Sequence, residues 1–430
     1  MALAAWAIAM VTLATPLSTQ GPPASTIPCS PSGAELVNPP EIQAAGGILR
    51  GAIYLVTELQ RLPTSEDGVA TCRAEPVRVF RPAPPREPVD RDLSDPMPGP
   101  TLRARVGDLV QLRFINQIDA SLFEQGLDID ACTSAHRVDG TYPEAFKDFY
   151  PNCLHASSTA NIHFHGTHTN PDSTGDNVYL QIRPLPRNNQ GELTTTAAQV
   201  TAGLDEFFQD CSRKLGSAPL KSWPVTWGDL PSSWTDQQTK LLQAYQQRRP
   251  TQPLWDENQT VLNAGGWPIY YIGAFPYCFA LPEYPALAGK VAPVMGQSPG
   301  THWYHAHKHG STAINVMNGM TGVFIIEGKY DDDLNAAYGS YVLAGGSWNT
   351  RSQKILVLNQ LGTLPNALTG KFVDSVGGVD FTVNGRLAPK VSMQPGEVQL
   401  WRIVNTSGRT AAFFLPPIGL EWRQIAQDGV

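Results

Sequence analysis

PTLRARVGDLVQLRFIN, residues 100–116, reads as a strand, a Gly-Asp turn and a second strand. Val110, Leu112 and Phe114 alternate with Gln111 and Arg113, the period-two pattern of a half-buried strand. The stretch occurs twice. PKVSMQPGEVQLWRIVN, residues 389–405, superposes on it without a gap, each residue 289 positions after its counterpart. Gly107 meets Gly396, Asp108 meets Glu397, Arg113 meets Arg402 and Asn116 meets Asn405. Apolar positions coincide at Leu102/Val391, Phe114/Ile403 and Ile115/Val404. A repeat of this kind implies two copies of one β-domain.

Outward from the first copy, ILRGAIYLVTEL (48–59) and EPVRVFRP (75–82) have β character, and a Pro-rich connector fills 83–99. The 38 Gly and 37 Pro are scattered rather than periodic, which points to many turns and an all-β architecture. A long interval, 169–301, is partly helical in pattern. Residues 197–211 are amphipathic. The segment 236–249 follows Thr235, which with Gln238 has capping-box spacing, and stops at Pro250. The aromatic-rich run 265–285 reads as packing within an inserted segment, or else as a cover over a site. Val323 to Ile326 form an apolar strand near the end of the first domain. Met317 and Met320 beside it read as packing rather than as ligands. The expected organisation is a possible signal segment over 1–25, a first domain over 46–328 with an insertion at about 186–275, and an incomplete second domain over 350–430.

The chain has 430 residues, 42% hydrophobic and 16% charged, which describes a globular protein with room for two or three domains. A net charge of −7 with no Lys/Arg-rich run argues against a nucleic-acid partner. No stretch is long and apolar enough for a transmembrane segment. The Ala/Leu-rich opening resembles the apolar core of a secretory signal, although no Lys or Arg precedes Arg50. Six widely spread cysteines fit one to three disulfides in an oxidising compartment, so a secreted or periplasmic location is expected.

Seven of the nine histidines fall in or beside two short runs, His163-Phe164-His165-Gly166 and His302-Trp303-Tyr304-His305-Ala306-His307-Lys308-His309-Gly310. Chance would give roughly 0.2 His-x-His pairs at this composition, and the sequence has three. On a strand, residues two apart share a face. His163 and His165 therefore project together, as do His305 and His307 about Ala306. If the two strands face each other, four imidazoles converge, and imidazole suits copper, zinc, iron and nickel. His168, His302 and His309 read as structural neighbours, and His136 and His155 as ordinary residues. The repeat's second copy has no histidine, so the metal chemistry belongs to the first.

NIHFHGTHTNPDSTGDNVYLQI (161–182) and SPGTHWYHAHKHGSTAINVMNGMTGVFIIEG (298–328) resemble the first two copper-binding motifs of the multicopper oxidases, the laccase-like and bacterial copper oxidases. The repeated strand pair is similar to that family's cupredoxin domain, which implies Greek-key β-sandwiches. The resemblance covers roughly residues 48–185 and 285–430. It implies that His163 is a type-2 copper ligand and that His165, His305 and His307 are type-3 copper ligands. It further implies that Asp176 is a proton-delivering acid near the cluster, although a plain loop carboxylate is an equal reading. The activity implied is one-electron oxidation of a phenol, amine or metal ion coupled to reduction of dioxygen to water.

The chain departs from that pattern. The family's two later motifs, one of His-x-x-His-x-His type and one containing His-Cys-His, supply the rest of the cluster and the type-1 copper. No histidine follows His309 and no cysteine follows Cys278. The expectation is a fragment or truncated product, inactive alone. Two other readings stay open: a non-enzymatic cupredoxin-like copper-binding or scaffolding protein, and hydrolysis at a bound zinc. The latter lacks an obvious general-base carboxylate on these strands.

Overall fold

The structure is a computed structural model, and it describes residues 26–66, 69–85, 93–123, 155–216, 223–283, 296–342, 353–361, 382–407, 415 and 418–427. The possible signal segment, His136, Cys132 and Cys153 lie outside these. The fold class is all-β, as the repeat and the turn-rich composition imply. One five-stranded sheet has the order β1 (Thr26–Ile27), β4 (Val69–Arg81), β3 (Ile48–Glu66), β6 (Leu109–Asn116), β10 (Ala274–Ala280). A second has the order β2 (Glu41–Gln43), β5 (Thr101–Arg105), β12 (Thr321–Glu327), β11 (Gly300–His305), β7 (His163–His165). Leu112 and Phe114 of the first sheet and Leu102, Phe164, Tyr304 and Phe324 of the second share one buried core, so the two sheets form a sandwich.

A third sheet, of order β15 (Arg386–Leu387), β14 (Thr382–Val383), β13 (Gln353–Asn359), β16 (Leu400–Asn405), packs on the outer face of the second. There Val323 and Ile325 of β12 meet Ile355, Val357 and Val404. β16 is the repeat partner of β6, and the likeness is structural. Each runs parallel to an earlier strand, with Asn116 opposite Leu55 and Asn405 opposite Leu358. In each, the Asn side-chain oxygen accepts the backbone N–H two residues on, of Ile118 at 3.2 Å and of Ser407 at 3.0 Å. Gly107 and Gly396 both hold the positive φ of the turn, +94° and +79°. The copies differ at the first strand of the pair: β5 is regular, whereas 391–394 is irregular.

Two readings need correction. β6 is not half-buried, because Gln111 is as inaccessible as its apolar neighbours. Part of the insertion forms α1 (Ala197–Val200) and α2 (Leu204–Gly216), and α2 lies over the polar face of β6. Gln111 donates to the Phe208 carbonyl at 2.7 Å, and Arg113 pairs with Asp205. The next helix, α3 (Ser232–Arg248), starts before Thr235, so Thr235 and Gln238 form no capping box. Gln238 is buried instead, exchanging hydrogen bonds of 2.9 and 2.8 Å with the Ile272 backbone. That position lies on β9 (Tyr270–Ile272), paired in parallel with β8 (Gln181–Arg183). The aromatic run is packing: Tyr277 and Phe279 of β10 touch Phe164, and Tyr271 packs on Trp234 and Phe275. Met317 and Met320 are buried. Among the described cysteines, Cys29 pairs with Cys72 and Cys211 with Cys278.

Candidate metal centre

β7 and β11 are antiparallel neighbours, with His163 opposite His305, Phe164 opposite Tyr304 and His165 opposite Trp303. Directly opposed residues share a face. Phe164 and Tyr304 enter the sandwich core, which forces His163, His165 and His305 onto the outer face, the face that carries the third sheet further along. Ligand nitrogens of these three lie within 4.8 Å of one another. β11 stops at His305, yet the two-residue alternation persists: Ala306 is buried and the His307 ring centroid comes 5.1 Å from that of His163. Asn161 sets this placement, its side-chain oxygen accepting the His307 N–H at 2.8 Å.

The ring orientations are specified. His305 donates from Nδ1 to the Ala306 carbonyl at 2.9 Å, leaving Nε2 with its lone pair free toward the cluster. His163 directs Nδ1 to the Asp176 carboxylate at 2.9 Å, leaving its Nε2 free likewise. Asp176 is itself fixed by the Phe164 N–H at 2.7 Å. A histidine that ligates a metal generally donates its other nitrogen to a carboxylate or carbonyl. The fit to a metal can be judged from spacing. Imidazole nitrogens sit about 2.0–2.1 Å from such an ion, so two on one ion lie roughly 3–3.4 Å apart. His165 Nδ1 and His305 Nε2 are 3.3 Å apart. With no metal, the same separation serves as an N–H···N bond from His165 to His305.

Burial, and then the neighbouring histidines, push the His305 imidazole down to about 3. His165 is lowered by the same causes. Neutral imidazole, the form that ligates, is thus favoured at both positions. Of the flanking histidines, His302 is buried with Nε2 donating to the Ser298 carbonyl at 3.0 Å, and His168 directs Nδ1 to the Gly296 carbonyl at 2.8 Å. His309 and His155 have ring centroids 6.2 Å apart. Asn161 and Trp303 escaped the sequence reading. Trp303 stacks on His305 at 4.2 Å and also meets the third sheet. Its place two residues before His305 put it on the ligand face, a signal present in the alternation.

The chain is similar to the multicopper oxidase mco of Staphylococcus aureus, with 31% identity over 111 residues, or 26% of this chain and 23% of that protein. Among solved structures it is similar to the McoA multicopper oxidase of the hyperthermophile Aquifex aeolicus, at 13% identity and a TM-score of 0.36. That match covers 87% of this chain and 46% of the other. It is similar also to the multicopper oxidase of Campylobacter jejuni, described as a metallo-oxidase, at 13% identity and a TM-score of 0.34, over 84% of this chain and 41% of that one. The chain spans less than half the length of each. No family model matches. The resemblance to multicopper oxidases read from the sequence is thus shared with a relative of that name.

Proposed function

We propose that His163, His165, His305 and His307 are ligands of a copper centre of the multicopper oxidase type, and that the chain forms part of a copper-dependent oxidoreductase. The observation that carries this reading is the convergence of four imidazoles, three from two paired strands and His307 just beyond one of them, two of their nitrogens 3.3 Å apart. His163 is assigned to type-2 copper and the other three to type-3 copper on their motif positions. Copper bound there would supply one-electron redox chemistry and the reduction of dioxygen to water. The residues of this chain hold and orient: Ala306 and Asp176 fix the free nitrogens of His305 and His163, and Trp303 keeps water from one side of His305. Asp176, most of it shielded from solvent, also stands where it can hold a proton beside the cluster.

The electron donor is a phenol, an amine or a metal ion. This sequence supplies four of the eight histidines the resemblance implies and no His-Cys-His motif, so the chain alone is expected to show no oxidase turnover and no blue-copper absorption. The domain organisation that goes with this reading is one cupredoxin-like domain over 46–328 with its insertion, and a second from about 350. Two disulfides support an oxidising, secreted or periplasmic location. No helix among the described residues is long and apolar enough to cross a membrane.

The test is copper content by mass spectrometry with electron paramagnetic resonance on the full chain and on the double variant His305→Ala, His307→Ala. Copper retention should be lost while the circular dichroism of the sandwich is kept. Equal copper in both proteins would overturn the ligand assignment. Zinc held in place of copper under copper-replete conditions would move the reading to hydrolysis.

A further inference from the structure

The insertion is cross-linked to the strand that grips the Asp176 loop. Cys211 of α2 and Cys278 of β10 are joined, both buried. Tyr277 and Phe279, on either side of Cys278, turn inward to Phe164, so Cys278 turns outward to the helix. Its backbone faces the free edge of the first sheet and is taken up by one residue. The Cys278 N–H donates to the Thr174 carbonyl at 2.8 Å, and the Thr174 hydroxyl donates to the Cys278 carbonyl at 3.2 Å. Thr174 is fully buried and lies two residues before Asp176. The intervening loop is tight, closed by bonds from the Asp176 N–H to the Asn170 carbonyl at 2.6 Å and from the Gly175 N–H to the Asp172 carbonyl at 2.9 Å. A Cβ at Gly175 would collide with the Asn170 carbonyl oxygen. From helix to histidine the connection is therefore short: Cys211, Cys278, Thr174, Asp176, His163.

We propose that Thr174 is a positioning residue for the metal centre, and that the Cys211–Cys278 cross-link holds the strand edge on which Thr174 depends. The insertion thereby sets the affinity of the cluster for its metal without contributing a ligand. The proposal rests on the copper reading for its affinity arm. Its second arm needs no metal, because the Phe164 N–H bonded to Asp176 reports the position of the carboxylate.

The experiment uses the full chain and four variants: Cys211→Ser with Cys278→Ser, Thr174→Val, Thr174→Ser, and Cys29→Ser with Cys72→Ser. Copper(II) dissociation constants are measured by chelator competition, and hydrogen exchange of peptides spanning 162–166 by mass spectrometry without metal. Loss of groups that orient ligands typically weakens metal binding by about 10–100-fold. A weakening of about tenfold is expected for the Cys211/Cys278 pair and for Thr174→Val, with faster exchange at 162–166. Thr174→Ser keeps the hydroxyl and should restore both readouts. The Cys29/Cys72 pair, which ties β4 to the N-terminal segment, should lower stability and leave both unchanged. Unchanged affinity and exchange in Thr174→Val overturn the proposal, and this variant decides if the Cys211/Cys278 pair fails to fold. Equal losses in the Cys29/Cys72 control also overturn it, since the effect would then be general destabilisation. If the unmodified chain binds no copper, the copper reading fails and the exchange arm alone judges the clamp.

Discussion

At His305 a buried imidazole must stay neutral to serve as a ligand, and that requirement makes folding depend on pH. Burial holds its native value at about 3, against about 6.5 in an unfolded chain. Between these values the unfolded state binds more protons than the native state. Stability contributed by this group is therefore intact above about pH 6.5, falls as pH drops toward about 3 and is constant below. The slope is at most about 1.4 kcal/mol per pH unit. Metal-free protein should lose more stability between pH 7 and pH 4.5 than His305→Gln does, measured by urea denaturation. Parallel losses would show that the imidazole is protonated alike in both states. Asp176 gives a second prediction at this scale. Asp176→Asn removes the charge that orients His163 and should weaken copper(II) binding by about 10–100-fold with the fold kept. An unchanged dissociation constant would leave Asp176 as a loop carboxylate only.

The elements that present the histidines depend on close backbone approach. Gly322 of β12 lies opposite Tyr304 of β11, and a Cβ there would penetrate the Tyr304 ring. That ring is anchored by its hydroxyl, which donates to the Pro100 carbonyl at 2.6 Å. Gly322→Val should displace Tyr304 and cost about 1–3 kcal/mol, the usual cost of overpacking a core, seen as a lowered melting temperature. An unchanged melting temperature would mean the ring has room to move. Strand positions were legible here because the HFH and HWYHAH alternation obeys the two-residue period. Helix starts were less so. The Thr235–Gln238 spacing suited a cap, but Gln238 is more useful in the helix interior, where it satisfies the buried backbone of Ile272. A true capping box stands at Thr196 and Gln199.

Across the whole molecule, the third sheet is fastened to the sandwich by Arg402, the repeat counterpart of Arg113. Its guanidinium donates to Gln353 at 2.8 Å within its own sheet, to Thr301 of β11 at 2.9 Å, and to Asp331 at 2.8 Å. The Asp331 contact reaches the helix α4 (Lys329–Tyr338), one residue after β12. Arg402→Met takes the guanidinium from Asp331 and Gln353, which keep the Gly328 N–H and Arg103 respectively, and should cost about 3 kcal/mol, the low end for breaking a buried pair because Asp331 keeps some access to water. Chemical denaturation measures it, and a neutral result would mean apolar packing at Val323, Ile325, Ile355 and Val357 suffices. Arg113, by contrast, pairs with Asp205 of the insertion. One sequence position in two copies of a unit thus serves two different interfaces.

By itself the sequence determined the all-β class, the duplicated glycine turn and the strand after it, and the pairing of histidines on common strand faces. Those follow from a local period of two and from turn glycines, which neighbouring residues dictate. Only the tertiary structure decided that His163 lies opposite His305, that Asp176 and Asn161 set the orientation of His163 and the placement of His307, and that α2 covers β6. Such contacts join residues 13 to 146 positions apart; no local pattern encodes them, because their register depends on which strands pair and on what the insertion packs against.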